Sequence, residues 1–310
     1  MDPMNPAPAY GPAEVAHGPI FIGFFFNALL YGIMVNQTYF YFSTFRVDRL
    51  WTRAFVACIF ALDTANTVFD LAYLYDCLIV HFDDVPYLAR ATWLFATDPA
   101  MTAIIAFLVQ VFYVWRVRVL TGSASLAALI FACALAGLAG GLATTVEVLR
   151  EPEFRDFIRF KSVVILWLLA ECLADILIAT LLVRHLRAHK SGMPGSDALV
   201  DRVIRLTVQT GIATALCATI DLIVFLSDPI GLHLTFNFPL CKLYTNALLS
   251  SLNGRGGSWG GAAGSGSGRT GLMTSKRASA SLPVRSSYFP HFLISSFPIH
   301  RLFPIRLLSA

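Results

Sequence analysis

The chain has 310 residues, 56% of them hydrophobic and only 14% charged, with a mean hydropathy of +0.66. A soluble domain carries about 25% charged residues, so this composition excludes an ordinary soluble domain and indicates a polytopic membrane domain with a tail. A net charge of +4 is too small to mark a nucleic-acid binder.

Residues 1–17 contain no Lys or Arg. A cleavable signal peptide needs a basic start and an apolar core, so none is read here, and the first membrane helix is expected to direct insertion. A hydrocarbon core of about 30 Å takes about 20 largely apolar helical residues. Runs of that kind occur at 18–43, 53–78, 93–116, 124–148, 162–184, 203–226 and 231–252. The expected fold is therefore all-α: an integral membrane bundle of seven transmembrane helices spanning 18–253. Lys and Arg set its orientation. Loops one–two, three–four and five–six hold three, two and five basic residues, ten in all, against five on the opposite side. This places the N-terminus and residues 1–17 outside and the C-terminus in the cytoplasm. The fourth-to-fifth loop is the exception, with four basic residues, but it also holds Glu151, Glu153 and Asp156.

From 254 the composition changes. "NGRGGSWGGAAGSGSGRTG" is a Gly/Ser linker, and the rest of 254–310 is basic with no acid. It reads as a disordered cytoplasmic tail with weak attraction to anionic lipid. Its apolar end, "FPHFLISSFPIHRLFPIRLLSA", is too broken by proline to span a membrane and resembles translated intron. The six cysteines all lie in apolar stretches without C-x-x-C spacing, and read as small core residues.

Ionisable groups at bilayer depth cost about 2.5–3.5 kcal/mol each on insertion scales, so they face the bundle interior and find partners. Asp63, Asn66 and Asp70 form one stripe of the second run, at i, i+3 and i+7. Glu171 and Asp175 share a face of the fifth, at i and i+4. Asp98 lies near the outer end of the third run and Gln110 near its inner end, while Asp221 lies towards the outer end of the sixth. The seventh carries Lys242, with Thr245, Asn246 and Asn253 down roughly one side. These residues form either a polar cavity for a ligand, ion or proton, or an interhelical network that holds the bundle. Lys242 is expected to pair with Asp63, Glu171 or Asp221.

A mid-membrane lysine on the last helix would also suit a retinal Schiff base. However, Phe238 and not an acid stands four residues before it, and the third run has no acid pair at mid-depth. No G-x-S-x-G, H-E-x-x-H or phosphate-binding Gly loop is present. His185 and His189, at i and i+4, read as a solvated basic face. The expectation is accordingly no enzyme, no cofactor and no metal. Gly137, Gly140 and Gly141 suit close helix packing, within the bundle or in a homodimer.

Three stretches in order, "QVFYVWRV" (110–117), "DRVIRLTVQTGIAT" (201–214) and "FPLCKLYTNALLSSLNGR" (238–255), resemble a fungal family of seven-helix integral membrane proteins common in basidiomycetes, domain of unknown function 6534. "ADILIATLL", with Asp175, agrees as well. The resemblance covers roughly 18–255 and implies a multi-pass membrane protein with no activity to carry over. Its motif positions here are Gln110, Arg116, Asp175, Thr210, Gly211, Thr214, Lys242, Tyr244, Asn246 and Asn253. Three functions remain. The favoured one is a receptor or sensor, expected in the plasma membrane, with a small-molecule ligand and a cytoplasmic partner protein. The alternatives are a transporter or channel using the intramembrane carboxylates, and a structural membrane protein.

Overall fold

The computed structural model describes residues 12–82, 84–188, 194–227 and 231–254. The N-terminal segment up to residue 11, His189 and the tail from 255 lie outside the described residues. The described part is helical, with a single isolated antiparallel bridge, Arg90 to Glu153, and no strand. Its helices are α1 (Pro12–Thr44), α2 (Leu50–Tyr75), α3 (Val85–Leu88), α4 (Trp93–Thr121), α5 (Ala124–Arg150), α6 (Lys161–Ala188), α7 (Pro194–Ser227), α8 (Leu234–Asn237) and α9 (Leu240–Asn253). One π turn, Asp76–Val80, extends α2, and a 3-10 turn, Phe154–Phe160, leads into α6.

Six helices (α1, α2, α4, α5, α6 and α7) are long and apolar enough to cross a membrane. Their surface is arranged for lipid. On α1, Phe21, Phe25, Leu29 and Ile33 are spaced four apart and about half exposed, while Asn27 on the other face is fully buried. Apolar side chains outside and amides inside invert the pattern of a water-soluble helix.

The run expected as a seventh helix over 231–252 divides instead into α8 and α9 at Phe238–Pro239. Proline supplies no N–H and its ring crowds the preceding turn, so the helix breaks there. Oxygens beside the break are taken by neighbouring helices: Cys217 Sγ donates to Phe236 O at 3.3 Å and Asn27 Nδ2 to Phe238 O at 3.2 Å. With 14 residues, α9 is about 21 Å long, and twelve of those residues are buried.

The long helices neighbour one another in chain order from α1 to α7, and α9 closes the ring between α7 and α1 while also touching α2 and α4. The α4–α5 corner shows how short connections enforce this order. Gly122, at φ 68°, ends α4 in the left-handed conformation that glycine tolerates, and Ser123 caps α5 by accepting from Leu126 N at 3.4 Å.

The glycines of α5 face inward. A Cβ on Gly140 would meet Trp167 backbone atoms at 2.9 Å, and one on Gly137 would meet Glu171 Cγ at 3.0 Å. One on Gly141 would collide with Ala103 Cβ of α4. They serve packing of α5 against α4 and α6, the first of the two roles the sequence offered.

Candidate functional site

All eleven polar residues singled out from the sequence are buried. They form separate groups around α9, because α9 is surrounded by helices and successive side chains point to different neighbours.

The first group centres on Lys242, which is fully buried. Its ammonium donates to Asn66 Oδ1 at 2.7 Å and to the main-chain oxygen of Asp63 at 3.1 Å. The Asp63 carboxylate lies 3.2 Å away as an ion pair, also with no exposure. This contact is one of charge, since the ammonium directs its shorter bonds elsewhere. Thr245, one turn further along α9, faces the same carboxyl. Of the three acids the sequence offered to Lys242, the structure selects Asp63.

Asn66 extends the group. Its oxygen also accepts from Cys241 Sγ at 3.2 Å, and its nitrogen donates to Asp98 Oδ1 of α4 at 3.2 Å. One turn along α2, Asp70 Oδ2 accepts from Asn27 Nδ2 at 2.8 Å. The amide of Asn27 therefore bridges Asp70 to the broken point of the α8–α9 run. Asp221 of α7 is fully buried, and neither of its oxygens has a hydrogen-bond partner among the described residues.

The second group lies between α4, α6 and α9. Trp167 Nε1 donates to Glu171 Oε1 at 2.7 Å, and Tyr244 OH donates to Glu171 Oε2 at 3.5 Å. Gln110 Nε2 donates to Asp175 Oδ1 at 3.1 Å. A cavity of about 30 Å³ adjoins Gln110, Tyr113, Asp175 and Tyr244, the volume of about one water molecule. Trp167 was not among the sequence candidates, although its spacing of four from Glu171 on an apolar helix was a readable signal. Replacing Trp167 by Phe is expected to cost about 1–3 kcal/mol in an unfolding titration, because Glu171 loses its closest donor while buried.

The third group clamps α9 to its neighbours. Asn246 Nδ2 donates to Leu30 O and Asn253 Nδ2 to Gln37 O, each at 3.0 Å. Arg116 Nη1 donates to Ser251 Oγ at 2.6 Å. Asn246 and Asn253 thus hold main-chain oxygens of α1.

At the end where α3 lies, the His81 and Tyr87 rings stack with centroids 3.8 Å apart, and the Tyr87 hydroxyl donates to the Asp76 carboxylate. Burial and that carboxylate hold the Tyr87 hydroxyl's pKa above its ordinary value. No group of three or more His, Cys, Asp or Glu with metal-holding geometry occurs among the described residues, and all six cysteines are free.

Among the described residues, the interior holds six buried carboxyls (Asp63, Asp70, Asp98, Glu171, Asp175 and Asp221) and one buried ammonium. Among curated proteins and among solved structures, none matches the chain. Residues 171–257, which run from Glu171 through α7 and α8 to just past the end of α9, match the family model described as a family of unknown function (DUF6534).

Proposed function

We propose that this multi-pass membrane protein is a DUF6534 member over its whole membrane domain and that it exchanges protons or small cations through its acidic interior, as a transporter or channel. The observation that carries the reading is the excess of buried carboxyls. An ionised carboxylate out of water costs several kcal/mol unless compensated, and Lys242 compensates one such charge in direct contact. The remaining acids have neutral hydrogen-bond donors or, for Asp221, none among the described residues, so a proton or a cation is what would balance their charge. The broken α8–α9 run beside Lys242 adds support, since interrupted helices border the ion and substrate sites of many transporters. The cavity that adjoins the buried acid Asp175, about 30 Å³, is of a size for water, which suits proton or ion passage, so the transport reading is preferred to the receptor and structural ones.

In this reading the α8–α9 run is the seventh crossing, the N-terminus lies outside and the C-terminus in the cytoplasm. The basic residues of the fourth-to-fifth connection fit that orientation, because Arg150 and Arg159 pair with Glu147, Glu151 and Asp156. A C-terminal reporter accessible from outside the cell would reverse it.

Purified protein in proteoliposomes, with an imposed pH gradient and a trapped pH-sensitive dye, tests the transport reading; parallel runs impose a sodium or potassium gradient. The wild type is expected to dissipate one of these gradients faster than empty liposomes. Asp221→Asn and Asp98→Asn are expected to slow it at least tenfold, the effect of a barrier change of about 1.4 kcal/mol. Wild-type flux equal to that of empty liposomes, or variants as fast as wild type, would overturn it.

A further inference from the structure

A groove of about 360 Å³ runs between α6 and α7 on the outer surface of the bundle, within the range of about 300–1,000 Å³ typical of ligand sites. Small residues leave the space: Ala179 on α6, with Gly211 and Ala215 on α7. Val183 and Ile212 make its sides apolar. A Cβ on Gly211 would meet Ala179 Cβ at 3.1 Å, so these two form the floor where the helices touch, and the short side chain of Ala215 keeps the trough open beside it.

One end is cationic. Arg184 lines the groove itself. Arg187 follows Val183 by four residues and Arg205 precedes Ile212 by seven, so helical periodicity places both on the same side at the same end. No ion pair is found for these three arginines among the described residues. The nearest acid along the chain is Asp201, one turn before Arg205 and engaged with a partner of its own. Among the described residues, three guanidinium groups stand against one carboxylate, which leaves the mouth positive.

We propose that this groove is a binding site for an anionic phospholipid, with an acyl chain along Ala179, Gly211 and Ala215 and the phosphate on Arg184, Arg187 and Arg205. An apolar trough open to the hydrocarbon takes an alkyl chain without burying a polar group. Guanidinium groups bind phosphate through paired N–H donors. Basic pockets between transmembrane helices recognise anionic headgroups in this way. The inference is independent of proton or cation exchange, because the groove lies outside the ring of buried acids.

The test is competitive lipid retention. Full-length protein is reconstituted in nanodiscs of equimolar phosphatidylglycerol and phosphatidylcholine, then extracted into mild detergent, and the lipid still bound is measured by native mass spectrometry. The wild type is expected to retain phosphatidylglycerol preferentially. Arg184→Gln with Arg205→Gln is expected to lower that preference on the order of fivefold per arginine. Ala215→Phe, which fills the trough, is expected to lower retention of both lipids while leaving the thermal midpoint within a few degrees. The arginine variants alter exposed side chains and decide the matter if Ala215→Phe fails to fold. Equal retention of the two lipids by the wild type, or an unchanged preference in the double arginine variant, would overturn the proposal.

Discussion

Replacing Lys242 by Met is expected to lower the unfolding free energy by about 3–5 kcal/mol, the cost of leaving one partner of a buried ion pair uncompensated. The side chain is fully buried, and it satisfies Asn66 Oδ1 at 2.7 Å and Asp63 O at 3.1 Å as well as the Asp63 carboxylate at 3.2 Å. Methionine matches its length but donates nothing. Asp63→Asn should cost less on its own, because the amide is neutral and the ammonium keeps two of its acceptors. In the double variant the loss should be well below the sum of the singles, because the isolated charge that dominates Lys242→Met is gone. Denaturant titration in detergent micelles, followed by far-ultraviolet circular dichroism, measures all three. Additive losses would mean that the pair is not energetically coupled. Lys242→Arg should not rescue, since the larger planar guanidinium has no room in a site without solvent access.

The second large effect is steric. Gly140→Val is expected to destabilise by about 1–3 kcal/mol or more, the range for overpacking a dense core. Its Cβ would meet Trp167 N, Cα and Cβ at 2.9 Å each. Backbone atoms cannot rotate away, so α5 and α6 must separate along their contact. That separation would loosen Trp167 from Glu171, now 2.7 Å apart, and tryptophan fluorescence should report it alongside the unfolding midpoint. Gly32→Ala is the internal control. No atom stands within 4 Å of a Cβ at Gly32, so alanine there should be neutral or stabilise by about 0.5–1 kcal/mol through helix propensity. A Gly140→Val protein as stable as wild type would show that α5 and α6 are not held at the observed distance.

Much of the architecture was readable from the chain. The boundaries of α4 and α5 agree with the apolar runs because length and hydropathy dominate helix placement in a membrane, where each backbone polar group must be satisfied within its own segment. The same economy made the buried polar residues conspicuous. Asp63, Asn66 and Asp70 could be assigned to one stripe of α2 because helical periodicity is a local property, and all three are buried. The seventh run was harder to read. Its apolar length matched a crossing, while Pro239 signalled a break whose consequence depended on Asn27 and Cys217 accepting responsibility for the freed oxygens from helices far away in sequence.

Two comparisons separate what is local from what is not. Asn246 and Asn253 look from the sequence like companions of Lys242, yet they bind oxygens of α1 at Leu30 and Gln37. Glu171 looks like an equal candidate for Lys242, yet it receives Trp167 and Tyr244. The sequence by itself determined that this protein is a bundle of membrane-crossing helices with an acidic, amide-rich interior and one buried lysine, because composition and periodicity act within a single helix. Only the tertiary structure decided that Lys242 meets Asp63, that Asp221 is left without a hydrogen bond among the described residues, and that the glycines of α5 face inward. Those outcomes depend on the height and rotation of each helix against its neighbours, which the packing of residues distant in the chain sets and no local pattern encodes.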